Sequence, residues 1–136
     1  KLIQNNTILE NVSIPLIYNG MSSKDRKAKV LKGLEDVGLH QKEDLLPNKL
    51  SGGQQQRVAI ARAIINEPKF IIADEPTGAL DSKTSKDIMD LFVSLNKEKG
   101  TTMIMVTHDR EVANKADRII HILDGRVKEE EVLTHE

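Results

Sequence analysis

Three short stretches of the 136-residue sequence carry residue types that could do chemistry together. The first is LSGGQQQRVAIARA, Leu50 to Ala63. Ser51 is a natural helix N-cap, its hydroxyl accepting from an amide one turn in. Gly52 and Gly53 have no side chains, so another molecule can approach their backbone closely. The opening turn of a helix offers unpaired N–H groups at the positive end of its dipole, which suits an anion such as phosphate. The second stretch is FIIADE, Phe70 to Glu75, with two adjacent carboxylates, Asp74 and Glu75, at the end of an apolar run. Away from water each prefers a cation, and a magnesium ion with phosphate would satisfy them. The third is MIMVTHD, Met103 to Asp109, where His108 follows a second apolar run and can donate a hydrogen bond at a reacting centre. Taken singly, each stretch also has an ordinary reading: a Ser-capped helix, a strand-to-loop boundary, a loop histidine.

Helical and strand periodicity give the elements that would position these groups. Val58, Ala61 and Ile65 form a buried stripe behind Ser51, on a helix ending before Pro68. Lys69 to Ala73 and Thr102 to Val106 read as short buried strands. Between them, Asp81 or Ser82 caps a helix to Lys99, with Ile88, Leu91, Phe92 and Leu95 inward and Gly100 at its end. Strand, helix, strand predicts a βαβ crossover and a parallel sheet, whose ligands bind off the carboxyl ends of the strands.

Upstream, Thr7 to Tyr18 reads as a short helix or irregular apolar segment with the stripe Ile8, Val12, Leu16 interrupted by Pro15. Ser23 caps a helix to Val37 with Val30, Leu31, Leu34 and Val37 on one face, stopped by Gly38. Its lysines and Arg26 read as a solvated face. A helical turn near Lys42 to Leu45 and a break at Pro47 lead to Ser51. Downstream, Asp109 caps a short helix to Lys115. Arg118 to Leu123 and Arg126 to Glu130 flank Asp124-Gly125, a two-residue hairpin signal, and Glu129 to Glu131 reads as part of a fraying tail.

Composition narrows the function class. Twenty Lys and Arg against 21 Asp and Glu create no field for nucleic acid, and 2% aromatic residues leave few rings for stacking on bases. There is no cysteine for a disulfide or thiolate site, and the four histidines show no metal-binding pairing. No apolar run approaches the ~20 residues of a membrane-spanning helix, and no signal peptide is visible.

The full string LSGGQQQRVAIARA, followed about twenty residues later by ADEPTGALD and then by VTHD, resembles the ABC-type ATPases. The resemblance covers essentially the whole sequence. ADEPTGALDSKTS and TILENVSIPLIY look most like the subgroup serving lipoprotein release, macrolide export and antimicrobial-peptide resistance. It implies an α/β fold: a partial P-loop NTPase (ABC ATPase) fold, with a helical signature subdomain over residues 1–68 and the C-terminal part of a RecA-like core over 69–136. By the same resemblance Ser51, Gly52, Gly53 and Gln54 form the signature motif, which binds the γ-phosphate of ATP held by an opposing subunit. Asp74 holds Mg2+, and Glu75 is the general base or orients the attacking water. Asp81 belongs to the D-loop that crosses the dimer interface, and His108 is the switch histidine. The implied partners are a second ATP-binding subunit in a homodimer and an integral membrane permease, at the cytoplasmic face of the membrane, with no nucleic acid.

The family's phosphate loop, G-x-x-x-x-G-K-[ST], does not occur. Gly33 to Gly38 has the glycine spacing, but Leu39 and His40 follow. Gln4 falls too late to be the family's Q-loop glutamine. The expectation is therefore a C-terminal fragment, inactive by itself, with sheet edges that either lost an upstream strand or pair between chains. Two other readings share some of these motifs: a non-transport ABC ATPase of the chromosome-maintenance or translation-factor type, and a non-catalytic docking module.

Overall fold

The computed structural model describes residues 1–135. Three helices come first: α1 (Ile8–Ile17), α2 (Ser23–Asp36) and α3 (Gly52–Ile64), with a single 3-10 turn at Pro47–Lys49 before α3. Then follow β1 (Phe70–Asp74), α4 (Ser82–Lys99), β2 (Thr102–Val106), α5 (Arg110–Ala113), β3 (Arg118–Leu123) and β4 (Arg126–Val132). β1 and β2 pair in parallel, Phe70 opposite Thr102 through Asp74 opposite Val106. β3 and β4 form a separate antiparallel ribbon.

Thr7 and Glu10 cap α1 reciprocally, and Ile8, Val12 and Leu16 are fully buried. The helix runs through Pro15 rather than breaking there. Pro15 lies in the last turn, so its missing N–H removes one ladder bond, to the Asn11 carbonyl, with only two helical residues beyond it. The amides of Ile8 and Leu9, orphaned at the helix start, donate to the Leu45 and Glu43 carbonyls at 2.8 and 2.9 Å. The expected Lys42 to Leu45 turn is there, the Leu45 amide donating to the Lys42 carbonyl at 3.2 Å, and it also caps α1. The cap of α2 is Ser22, one residue earlier than expected. Leu31 stays at the surface while Val30, Leu34 and Val37 are buried. Pro47 starts the 3-10 turn at a position where no N–H is needed.

One apolar core joins Leu16, Val30, Leu34, Val58, Ile65, Ile88, Phe92 and Leu95. On α4 the inward positions include Met89, and Leu91 is only half-buried.

The two parallel strands depart from expectation. They are not buried on both faces but alternate. Ile71, Ala73, Met103 and Met105 pack on the core, while Phe70, Ile72, Ile104 and Val106 are 46–66% exposed. Helices cover a single face of this pair. The acidic run Glu129 to Glu131 is not a frayed tail either. It lies within β4, opposite His121, Ile120 and Ile119. Asp124 and Gly125 both take positive φ (52° and 75°), as a tight hairpin turn of the predicted kind requires.

Candidate functional site

At the start of α3, Ser51 Oγ accepts from the Gln54 amide at 3.1 Å, and Gln54 Oε1 accepts from the Ser51 amide at 3.0 Å. This capping box ties up the Gln54 side chain and two of the backbone donors. The Ser51 hydroxyl hydrogen and the amides of Gly52 and Gly53 have no hydrogen-bond partner among the described residues. They make a compact donor set at an exposed helix start.

The glycines have a second reason, hidden from the sequence. A Cβ on Gly53 would lie 2.5 Å from Thr84 Cγ2, and one on Gly52 would lie 3.3 Å from Leu80 Cδ2. The close approach at Gly53 is made by the chain's own α4, with the loop before it beside Gly52. Gly53 is accordingly buried while Ser51 and Gly52 face solvent. This contact joins the signature helix to the loop that carries Asp81. Asp81 occupies the N-cap of α4; its carboxyl makes no capping hydrogen bond of full geometry, yet the nearby Thr84 hydroxyl and amide hold it below the usual carboxylate range.

The second cluster sits at the carboxyl ends of β1 and β2. Asp74 ends β1, exposed, opposite Val106. Glu75 follows with φ 47°, a left-handed conformation that is uncommon for a residue with a side chain, and its amide donates to the Val106 carbonyl at 2.7 Å. Its Oε1 accepts from the His108 amide at 3.0 Å and lies 2.7 Å from His108 Nδ1. Thr107 Oγ1 lies 3.3 Å from Oε2. His108, through its ring and its amide, and Thr107 together lower the Glu75 pKa from 4.5, against a smaller opposing effect of burial.

Among the described residues no three His, Asp or Glu side chains converge as a metal cage. Magnesium is commonly held by one or two carboxylates plus waters and substrate phosphates. Asp74 has the hard oxygen donors, the exposure and the strand-end position for that part.

The structure therefore gathers the sequence-predicted residues into two groups. Glu75 and His108 touch, with Asp74 adjacent in the chain. Gly52 and Gly53 stand against Leu80 and Thr84, on either side of Asp81 in the chain, while Ser51 and Gln54 bond to each other at the same helix start. Sequence reasoning passed over Thr107 and Thr84. Thr107 lies inside the VTHD string and was visible there as a hydroxyl beside the histidine. Thr84 had no local signal, because its role is to fill the space that Gly53 leaves.

A profile of the family described as ABC transporter matches residues 1–78. The chain is 54% identical over 121 residues to an ABC transporter ATP-binding protein of Bacillus subtilis, YvrO, covering 89% of this chain and 52% of that protein. It is 49% identical over 131 residues to the macrolide export ATP-binding/permease protein MacB of Rhodopirellula baltica, covering 95% of this chain and 19% of that protein. Its structure superposes on the dimeric ABC transporter cassette MJ0796, a Methanocaldococcus jannaschii protein, with TM-score 0.83 and 49% identity, over 100% of this chain and 60% of that one. The same cassette has been solved in a post-hydrolysis state bound to ADP and Pi. The chain spans about half the length of YvrO. Its architecture is that of part of the ABC ATPase fold. On the motif order, the two clusters and these likenesses, the chain belongs to the ABC transporter family.

Proposed function

We propose that this chain supplies the signature, Walker B, D-loop and switch-histidine parts of an ABC-type ATPase whose ATP binding and hydrolysis drive transport. The observation that carries this reading is the 2.7 Å contact between Glu75 Oε1 and His108 Nδ1 at the carboxyl edge of the parallel pair. A carboxylate only accepts, so Nδ1 carries the proton and Nε2 is left for a second partner. Glu75, held below 4.5, is ionised at neutral pH. Held by its hydrogen-bond donors, the carboxylate would orient the attacking water or remove its proton. The Thr107 and His108 donors fix the carboxylate, and lone pairs remain for the water.

Asp74 would hold Mg2+, directly or through water. Mg2+ bound with ATP neutralises charge on the phosphoryl group being transferred. Ser51 Oγ and the Gly52 and Gly53 amides would bind the γ-phosphate of a nucleotide seated on a second copy, with Asp81 at the seam between copies. Gln54 acts there by holding Ser51 in its capping box. The dimeric MJ0796 cassette supports a homodimer, and MacB, which by its name combines ATP binding with a permease, supports a membrane permease as partner. No helix among the described residues is long and apolar enough to cross a membrane. The subunit would then act at the cytoplasmic face through its permease. In this reading residues 1–68 form the helical signature subdomain and 69–136 the C-terminal part of the RecA-like core.

The test is a graft. This chain replaces the matching 60% of the MJ0796 cassette, which supplies the rest of the nucleotide site. The expected outcome is ATP-dependent dimerisation and hydrolysis, with Glu75→Gln stopping turnover while dimers persist in ATP. A graft that hydrolyses ATP equally well with Glu75→Gln contradicts the proposal.

A further inference from the structure

The residue His108 leans on is not only Glu75. The geometry points to Glu131, on β4, as a positioning residue that holds the His108 turn through Arg110. This rests on the roles given above to Glu75 and His108.

Arg110 is the first residue of α5, two places after His108. Its Nη2 lies 2.8 Å from Glu131 Oε2 and its Nη1 lies 3.3 Å from Oε1, a two-pronged grip. Its Nε donates to Asn114 Oδ1 at 2.9 Å, so all three guanidinium nitrogens are engaged. Such a planar fork fixes direction as well as distance.

The turn between His108 and Arg110 is stiff enough to pass that orientation on. Asp109 Oδ1 accepts from the Glu111 amide at 2.9 Å, and the Asp109 amide donates to Thr107 Oγ1 at 3.0 Å. Thr107 in turn reaches Glu75. Residues 107 to 111 thus form one hydrogen-bonded unit. α5 itself has four residues, too few to hold its shape by its own ladder, and it buries one side chain, Val112. An outside anchor is required, and β4 provides it.

His121 Nε2, buried and making no hydrogen bond among the described residues, lies beside Glu131, 3.4 Å from its Oε1. Beyond β4, the Leu133 amide donates to the Asp117 carbonyl at 2.8 Å, which ties the strand end to the chain leaving α5. The Arg110–Glu131 pair is partly exposed, 54% and 29%. Pairs of that kind add little to global stability. Its value here lies in geometry.

The experiment uses the 136-residue chain and needs no nucleotide, so it can fail without the ATPase reading failing, and the reverse also holds. Amide exchange and ring 15N shifts of His108 are compared in wild type, Glu131→Gln and the exchanged pair Arg110→Glu/Glu131→Arg. In Glu131→Gln the His108 amide is expected to exchange about tenfold faster, and the ring to lose its Nδ1–H preference. The β3 amides at Ile120 and Ile122 should keep their protection. The exchanged pair should restore the wild-type His108 signals. If Glu131→Gln disturbs the ribbon, Arg110→Gln cuts the same contact from outside it, and the same His108 changes are expected. Unchanged His108 exchange and tautomer in whichever variant keeps the ribbon intact overturns the proposal, as does failure of the exchanged pair to restore a folded protein's His108 signals.

Discussion

His108 and Glu75 are 33 residues apart in sequence and 2.7 Å apart in space, joined at the ends of two parallel strands. The His108 side chain is 91% exposed, so packing does not place it. The hydrogen bonds to Glu75 do. If the two act as one unit, their removal is not additive. In the graft with MJ0796, His108→Ala should slow turnover by about 10²-fold or more. Combining it with Glu75→Gln should slow turnover no further than Glu75→Gln alone. A double-mutant cycle in kcat checks this.

Acid should loosen both carboxylate anchors. Glu75 and Glu131 each have a folded pKa below 4.5, Glu131 chiefly through its hydrogen bond to Arg110. A lowered folded pKa adds stability that is present above the unfolded value and lost as pH falls through the folded one. The urea midpoint should therefore hold near pH 6 and decline below about 4.5. The decline should be only slightly shallower in Glu131→Gln, measured side by side, because the Arg110 pair is partly exposed.

Gly53→Ala puts a methyl group 2.5 Å from Thr84 Cγ2. Overpacking of this kind costs about 1–3 kcal/mol, against about 1 kcal/mol gained from helix propensity. Thr84 is β-branched and stiff, so it does not simply turn away. Gly53→Ala should destabilise, and Gly53→Ala in a Thr84→Ser background should recover most of the loss, because Cγ2 is gone. Denaturant unfolding of the four proteins tests the contact directly. Gly52→Ala, facing only the flexible end of Leu80, should be the milder change.

Asn11 is fully buried, with every polar atom used. Its Oδ1 accepts from the Ile3 amide at 2.7 Å, and its Nδ2 donates to the Ile3, Asn6 and Thr7 carbonyls at 3.0–3.2 Å. Asn11→Leu takes the partner from the Ile3 amide and the Asn6 carbonyl, while the Ile3 and Thr7 carbonyls keep the Asn6 amide and the amide of residue 11, and it should cost about 1–3 kcal/mol. The loss should be local first, so limited proteolysis within residues 1–6 should speed up before global unfolding does.

Phosphoryl transfer is mainly positioning and charge neutralisation. No stretch of this sequence has the phosphate-loop spacing with its lysine. The 136-residue polypeptide by itself should show no ATP hydrolysis above background and bind ATP very weakly. Calorimetry and a phosphate-release assay test this, and turnover that depends on Glu75 in the pure polypeptide would contradict it.

Local chemistry determined much of this protein from the sequence. Ser51 as a cap, the stripes of α1 and α3, the hairpin at Asp124-Gly125 and the strand–helix–strand order all follow from periodicity and turn preferences. These depend on residues a few places apart, which a linear reading sees. The motif strings likewise placed Asp74, Glu75 and His108 at strand ends. Tertiary structure decided what depends on distant neighbours. It opened one face of β1 and β2, because helices cover only the other. It made Gly53 a packing glycine through Thr84, drew Glu129 to Glu131 into a strand, and joined Arg110 to Glu131. Side chains brought together across tens of residues leave no local spacing to read, and only the folded chain shows which of them meet.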